Sequence, residues 1–195
     1  MLFNKSKYDH IIVGLGNPGS KYDETRHNAG FRTLDRLIKD IEVTNEKMKF
    51  QSLLRDGKIG SKTVLIAKPQ TFMNNSGAAV SEILRFYKIT PENLIVISDD
   101  VSMDAGRLRI RASGSHGGHN GLRDIIELLG TDKFPRVRIG VGQKPHPDYD
   151  LADWVLGKPT AEAKQQIDKA EEDAAKAIVT IVTKSIPDAM SKFNR

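Results

Sequence analysis

The chain has 195 residues and contains no cysteine. This absence excludes disulfide bonds, a thiolate nucleophile and a metal site built from thiolates. Long apolar runs are also missing: tracts such as LIVI at 94–97 fall far short of the roughly 18 residues that a membrane span needs. The opening MLFNKSKYDH lacks the apolar segment of a secretory signal peptide. We therefore expect a soluble, intracellular protein, with no membrane partner.

The composition indicates a folded globular protein, with 38% hydrophobic and 28% charged residues. A length of 195 residues suits a single core. Since no repeat, low-complexity segment or linker divides the sequence, we predict one domain over 1–195.

The positive charge of the chain is concentrated in one region. Lys and Arg number 30 against 25 Asp and Glu, which gives a net charge of +5. The window 105–145 holds eight of these cations and three acids, so it carries the whole excess. A localised excess favours a polyanionic partner, although a solvated basic face is the more common explanation.

Predicted strands and helices alternate along the chain. Short apolar or alternating runs predict strands, and apolar residues at helical spacing predict helices between them. The strands are expected at 10–15, 48–55, 63–67, 94–98, 107–111 and 136–141, and the helices around 29–41, 80–87, 121–129 and 163–181, the last closed near Pro187. This order predicts an α/β fold with a central mixed, largely parallel twisted sheet and helices on both faces.

The motif GLGNPG at 14–19 matches the G-x-G-x-x-G pattern of dinucleotide-binding proteins. That fold needs a helix that opens at the third glycine and an acidic residue about 20 positions later, at the end of a second strand. Here the polar segment SKYDETRHN follows Gly19, and Asp35 and Asp40 lie in or at the end of the next helix. A nucleotide-dependent oxidoreductase is therefore the less favoured alternative.

Polar residues follow several of the predicted strands, where ligands of open α/β sheets bind. Asn17 and His27 follow the first strand, Asn74 follows 63–67, Asp99 ends 94–98, and Asn120 follows a glycine-rich loop. A histidine base, a carboxylate that orients it and amides that hold a carbonyl could together catalyse acyl transfer to water. Because neighbouring side chains of a strand point to opposite sides, only one of the two adjacent aspartates at 99 and 100 is expected to face the histidine.

Each of these residues also has an ordinary structural explanation. Asn74 and Asn120 are placed to cap helices, and the aspartates could accept hydrogen bonds from a turn. His116 and His119 have a metal-like spacing, but a glycine-rich loop holds ligands poorly. A serine hydrolase is disfavoured because the chain has no G-x-S-x-G motif. The residues alone predict an α/β enzyme and leave its reaction open.

Six strings carry a closer resemblance. In order they are GLGNPGSKYDETRHNAGF (14–31), KPQTFMNNSG (68–77), SDDVSMDAGRLRIR (98–111), GSHGGHNGLRDI (114–125), FPRVRIGVG (134–142) and WVLGKP (154–159). Together they resemble the bacterial-type peptidyl-tRNA hydrolases, from the first strand almost to the C-terminal helix. The resemblance implies hydrolysis of the ester between a peptide and the 3′ ribose of tRNA, in the cytoplasm, by a monomer that needs no metal and no cofactor.

The resemblance also implies roles for particular residues. His27 matches the catalytic base of the family, Asp99 the carboxylate beside it, and Asn17 the residue that selects N-blocked substrates. The remaining matches or their neighbours are expected to contact the 3′ CCA end: Tyr22, Phe72, Met73, Asn74, His119 and Asn120.

Two alternating strands supply the expected surface for the acceptor stem. Arg107, Arg109 and Arg111 share one face of RLRIR, and Arg136 and Arg138 repeat the arrangement in RVRIGV. We predict that Arg111 and Arg138 bind tRNA phosphates. An RNA-binding module without catalysis is a further alternative, but it would be expected to lack the histidine or the aspartate.

Overall fold

The computed structural model describes residues 6–194, which form one mixed sheet of eight strands with helices packed on both faces. The strands are β1 (His10–Gly14), β2 (Glu42–Val43), β3 (Lys47–Lys49), β4 (Ser52–Ile59), β5 (Lys62–Pro69), β6 (Leu94–Asp100), β7 (Leu108–Arg111) and β8 (Arg136–Gly140). Across the sheet they follow the order β2-β4-β5-β1-β6-β8-β7, and β3 pairs with β4 beside this path. The predicted fold class is confirmed.

Four adjacent strands, β5, β1, β6 and β8, run parallel. Ile12 in the middle of β1 pairs with Ile66 on one side and Ile95 on the other. All seven residues of β6 are buried, which explains its continuous apolar run, since strands covered on both faces do not alternate. The carboxyl ends of these strands meet at one edge of the sheet, so the loops that follow them lie side by side.

Two helical layers bury the sheet. The six helices are α1 (Ala29–Leu37), α2 (Ser76–Tyr87), α3 (Asn120–Leu129), α4 (Leu151–Leu156), α5 (Ala161–Thr183) and α6 (Ile186–Phe193). Leu34 of α1 and Ile178 of α5 belong to the core on one face, together with α6. Ile83 of α2 and Ile125 of α3 belong to the core on the other face. Each such fully buried side chain contributes about 1.5–3 kcal/mol to the driving force for folding.

A buried carboxylate joins α1 to α5. Glu171, whose side chain is fully buried, accepts hydrogen bonds from Arg32 Nε at 2.8 Å and Arg36 Nε at 3.1 Å. Arg32 Nη1 also donates to the backbone oxygens of Asp23 and Thr25, at 2.8 and 2.6 Å. These bonds satisfy the buried charge and fix the loop that precedes α1.

The glycines of GLGNPG serve helix packing. A Cβ at Gly14 would lie 2.4 Å from the backbone oxygen of Gly30 in α1, and one at Gly16 would lie 2.6 Å from the ring of Phe31. After Gly19 the chain forms a short 3₁₀ turn at Ser20–Tyr22, and α1 begins only at Ala29. The expectation that no helix opens at the third glycine is confirmed.

One predicted strand is wrong. The segment 48–55 is not a single strand but parts of β3 and β4, joined by a two-residue turn at Phe50 and Gln51. Both turn residues have left-handed backbone conformations, with φ values of 52° and 51°. Such hairpin turns usually carry Asn or Gly, and without that signal the sequence reads as continuous.

The C-terminal helix was predicted correctly, but its end was not. The helix α5 stops at Thr183, and Pro187 lies in the first turn of a separate helix, α6, where proline is tolerated. The short α4 was not predicted. Within residues 6–194, no helix combines the length and apolar character required to cross a bilayer.

Candidate active site

A cleft of about 570 Å³ opens at the carboxyl ends of the parallel strands. Its walls contain every residue predicted for the site except Tyr22 and Arg111. The loops after β1, β5 and β6, the start of α3 and one face of α4 form these walls. The site therefore lies where the strand order predicts a ligand site.

His27 and Asp99 are in direct contact inside this cleft. His27 lies in a 3₁₀ turn (Arg26–Asn28) just before α1, and its Nδ1 is 2.8 Å from Asp99 Oδ1 at the end of β6. An ionised carboxylate only accepts hydrogen bonds, so Nδ1 must carry the proton that joins the two side chains. The neutral imidazole therefore keeps an unprotonated Nε2, the atom that a general base uses.

His119 reaches the same carboxylate oxygen. Its Nε2 lies 2.9 Å from Asp99 Oδ1, and its Nδ1 accepts the backbone N–H of Leu122 at 3.3 Å. The hydrogen bond from Leu122 caps α3 and leaves the proton of a neutral ring on Nε2. That proton is directed at Asp99. Sequence reasoning placed His119 beside the substrate and missed this contact, because nothing in the sequence shows that both histidines share one acceptor.

Asp99 is almost fully buried, with 3% of its surface exposed. Burial by itself would raise the pKa of Asp99, but the nearby charges of His27 and His119 and their hydrogen bonds lower it well below the usual range of an aspartate. The Asp99 carboxylate is therefore ionised at neutral pH.

Asp100 faces a different set of partners. Its Oδ1 accepts hydrogen bonds from the backbone N–H and the hydroxyl of Ser102, at 2.8 and 2.7 Å. Its Oδ2 lies 2.6 Å from Arg138 Nη2. As the strand geometry predicts, only Asp99 of the two aspartates reaches His27.

The two histidines and Asp99 also form a group that could be considered for a metal ion, since their ligand atoms lie within 4.8 Å of one another. Metal–ligand bonds of about 2.0–2.2 Å place tetrahedral ligands roughly 3.3 Å apart. The observed N–O separations of 2.8 and 2.9 Å are instead ordinary hydrogen-bond lengths. The arrangement suits shared protons better than a shared cation.

Asn17 is held by Asn28, through a contact that the sequence does not show. The side chain of Asn28 accepts the backbone N–H of Asn17 and donates to its backbone oxygen, both at 2.9 Å. The Asn17 side-chain oxygen then accepts the backbone N–H of Met73 at 2.8 Å. Because this oxygen is engaged, the NH₂ group is the part of the Asn17 side chain that can donate to a ligand.

Phe72 is strained and exposed at the mouth of the cleft. Its φ of 59° and ψ of 162° lie in a region that is essentially restricted to glycine. Its ring is 53% exposed and meets Tyr22 edge to face, with 6.4 Å between the ring centroids. A strained aromatic residue that is not buried in the core is typical of a binding site.

Asn74 and Asn120 line the cleft from two different helices. Asn74 belongs to the 3₁₀ turn Met73–Asn75 before α2, and Asn120 is the first residue of α3. The cap of α3 is His119 rather than Asn120. The Asn120 amide is therefore not used in the capping role that its position suggested.

The turn that carries His27 is also fixed from outside the sheet. The Arg26 guanidinium stacks on the ring of Trp154, with 3.5 Å to the centroid. Its Nη1 donates to the backbone oxygens of Trp154 and Lys158, at 3.2 and 3.0 Å, and its backbone N–H donates to Gly157 at 3.1 Å. Trp154 of α4 and the segment that follows this helix thus hold the residue next to His27.

The predicted basic surface needs one correction. Arg136 is 1% exposed, and its guanidinium donates to the backbone oxygens of Ser115 and Asp132, at 3.1 and 2.8 Å. Loops cover this end of β8, so Arg136 cannot bind phosphate. Arg111 is exposed on the edge strand β7, and Arg138 lies in the cleft wall beside Asp100.

Comparison with known proteins identifies a family that matches this chain. The family model described as Peptidyl-tRNA hydrolase matches residues 11–195. The chain belongs to the peptidyl-tRNA hydrolase family. A peptidyl-tRNA hydrolase of Clostridium botulinum (strain Eklund 17B / Type B) is 48% identical over 184 residues, which cover 94% of this chain and 95% of the relative. One from Thermoanaerobacter sp. (strain X514) is 49% identical over 185 residues, 95% and 99% of the two chains.

Solved structures agree with this membership. The crystal structure of peptidyl-tRNA hydrolase from Acinetobacter baumannii matches with a TM-score of 0.90 and 36% identity, and the match covers 97% of both chains. A uridine phosphorylase from Vibrio fischeri matches with a TM-score of 0.53 and 10% identity, over 94% of this chain and 99% of that one. At that identity the phosphorylase shares the fold alone, whereas the peptidyl-tRNA hydrolases share both fold and sequence.

Proposed function

We propose that this chain hydrolyses the ester between a peptide, or an N-blocked aminoacyl group, and the 3′ ribose of tRNA. The observation that carries the proposal is the 2.8 Å contact between His27 Nδ1 and the buried Asp99 carboxylate, in a cleft walled by asparagines. Membership of the peptidyl-tRNA hydrolase family supports the substrate class. The geometry supports the assignment of a histidine base.

The proposed reaction is direct attack by water. His27 Nε2 takes a proton from the water as its oxygen attacks the ester carbonyl carbon, and Asp99 stabilises the imidazolium that forms. The bond from carbonyl carbon to ribose oxygen then breaks, and the imidazolium returns its proton to the 3′ oxygen. The products are tRNA with a free 3′ hydroxyl and a peptide with a free carboxyl group, which releases the second proton of the water to solvent. An ester is activated relative to an amide, so no covalent intermediate is needed.

The asparagines and aromatic residues would hold the substrate. Asn74 and Asn120 donate to the carbonyl oxygen, which becomes negative as the water attacks. The NH₂ group of Asn17 donates to the blocked amino end of the aminoacyl group. Phe72 and Tyr22 contact the terminal nucleotides, because exposed rings are the usual platform for unpaired bases.

The remaining partners follow from this substrate. Arg111 and Arg138 would bind phosphates of the acceptor stem, which raises affinity without contributing to the chemistry. We propose a monomeric enzyme without metal or cofactor. We propose the cytoplasm as its compartment, because peptidyl-tRNA is a product of translation there.

The test is incubation with an N-blocked aminoacyl-tRNA in the presence of EDTA, followed by measurement of free tRNA. We expect full activity with EDTA and a loss of about 10²–10⁴-fold in kcat for His27→Ala, with tRNA affinity nearly unchanged. The exposed histidine His146 provides a matched control, and His146→Ala should behave as the wild type. Loss of activity with EDTA would refute metal independence. Retention of most activity by His27→Ala would remove His27 from the mechanism.

A further inference from the structure

The N-terminus of α2 is capped by a side chain from another helix. The Gly77 backbone N–H donates to Asp124 Oδ2 of α3 at 2.6 Å. The N–H groups in the first turn of a helix have no hydrogen-bond partner within the helix. In the described part of the chain, the side chain of the N-cap residue Asn75 does not accept a hydrogen bond from α2. The Asp124 carboxylate supplies an acceptor and a negative charge, both favourable at this end of the helix dipole.

Glycines allow the two helices to approach this closely. A Cβ at Gly77 would lie 2.4 Å from the backbone oxygen of Asp124. A Cβ at Gly121 would lie 2.6 Å from Sδ of Met73. At Gly77 the backbones of α2 and α3 therefore approach so closely that a larger residue would force them apart. At Gly121 the start of α3 packs against the Met73 side chain of the turn before α2.

These contacts involve elements that carry or adjoin the two asparagines of the cleft. Asp124 is four residues after Asn120 on α3, so the two side chains share a face of the helix. Gly77 is three residues after Asn74. The bond from Gly77 to Asp124 thus joins α2, which directly follows the turn that carries Asn74, to α3, which carries Asn120.

We propose that Asp124 is a positioning residue that fixes the separation between the Asn74 and Asn120 amides. The inference rests on the proposed function, in which these amides bind the carbonyl oxygen. Within residues 6–194, the wall of the cleft includes Arg123 but not Asp124, so Asp124 acts through the asparagines rather than on the substrate. The separation of the two amides matters because a misplacement of about 1 Å in a group that positions the substrate can lower the rate about 10²-fold.

The first measurement is the steady-state rate of three variants. Asp124→Ala removes the bond, and we expect kcat to fall at least tenfold while KM for tRNA changes less than twofold. Asp124→Asn keeps an acceptor of the same shape, so it should recover kcat to within threefold of the wild type. Glu127→Ala removes an exposed acid from the same helix and should leave both constants unchanged. An equal loss in the asparagine variant, or an unchanged kcat in the alanine variant, would overturn the inference.

The second measurement separates positioning from general damage to the fold. In an Asn74→Ala background, Asp124→Ala should lower kcat less than threefold, because the amide that it positions is gone. A further tenfold loss would mean that Asp124 only supports the structure, and would overturn the inference. If the alanine variant does not fold, Asp124→Ser serves in the same cycle, since its shorter side chain does not reach the Gly77 amide. If Asn74→Ala alone leaves kcat unchanged, the proposed role of Asn74 fails, and the inference fails with it.

Discussion

The most informative single substitution is Asp99→Asn, because Asp99 Oδ1 accepts hydrogen bonds from both His27 and His119. The amide oxygen of asparagine has the same position and can still accept both bonds, so the change removes mainly the charge. A hydrogen bond to a charged group contributes about 1.5–3 kcal/mol and a neutral one about 0.5–1.5 kcal/mol. The loss is therefore about 1 kcal/mol for each bond, or about 2 kcal/mol in all.

The negative charge matters for kcat where the proposed mechanism makes His27 a cation, in the transition state. A loss of about 2 kcal/mol in that state corresponds, at about 1.4 kcal/mol for each factor of ten, to a fall of about 30-fold in kcat. The assay is steady-state release of tRNA from an N-blocked aminoacyl-tRNA at saturating substrate.

Asp100→Asn is the matched control, since Asp100 contacts Ser102 and Arg138 rather than His27. It should lower kcat less than fivefold. A larger loss for Asp100→Asn than for Asp99→Asn would refute the assignment of Asp99 as the carboxylate that serves the base.

A comparison of the wild type with Asp99→Asn also tests how the stability of the folded protein depends on pH. The pKa of Asp99 is lowered in the folded protein, so its ionised form adds stability above the pKa of an unfolded aspartate, about 3.9. That contribution is lost as pH falls below about 4 towards the lowered pKa. Thermal denaturation should therefore show the wild type losing stability relative to Asp99→Asn as the pH falls below 4. A difference that grew at low pH would contradict the direction of the shift.

Further predictions follow from Phe72 and from the arginines. Phe72→Gly should be more stable to denaturant than Phe72→Ala by about 1 kcal/mol, since only glycine relieves the backbone strain. At most positions alanine is the more stable of the two residues. If the alanine variant is also the more stable one at position 72, the backbone there is not strained. Arg111→Ala should raise KM for tRNA and flatten the dependence of log KM on log[salt] by about 0.7–0.9 units, with kcat and cleavage of an N-blocked aminoacyl nucleoside unchanged. Equal loss on the small substrate would place the tRNA surface elsewhere. Arg136→Ala should instead lower stability by about 1–3 kcal/mol, because two backbone carbonyls lose their donor, and should leave the salt dependence unchanged.

The buried parallel strands were predictable, because a strand covered on both faces leaves a short, continuous apolar run such as that of β6. The β3–β4 hairpin was not predictable, since Phe50 and Gln51 adopt left-handed conformations that are unusual for these residue types. Strand alternation placed Arg136 on the same face as the other arginines, but it does not report which loop covers that face. The burial of Arg136 depends on tertiary packing.

The candidate site, too, was predictable from the sequence only in part. The residue types proposed for catalysis and their positions after the strands could be read from the sequence. Their supports could not, because they join residues far apart in the chain: Asn28 holds the backbone of Asn17, and His119 shares the oxygen of Asp99. Such contacts leave no periodic pattern.

The stacking of Arg26 on Trp154 has a consequence for how the protein could be divided or shortened. The residue next to His27 takes its hydrogen-bond acceptors from 154–158, near the other end of the sequence. A fragment that stopped before α4 would retain every proposed catalytic residue, yet it would leave a buried guanidinium without its carbonyls and the histidine turn without its anchor. Supplying the missing C-terminal piece as a separate peptide should restore the turn, so the two halves of this chain form a candidate pair for a split enzyme whose activity reports their association.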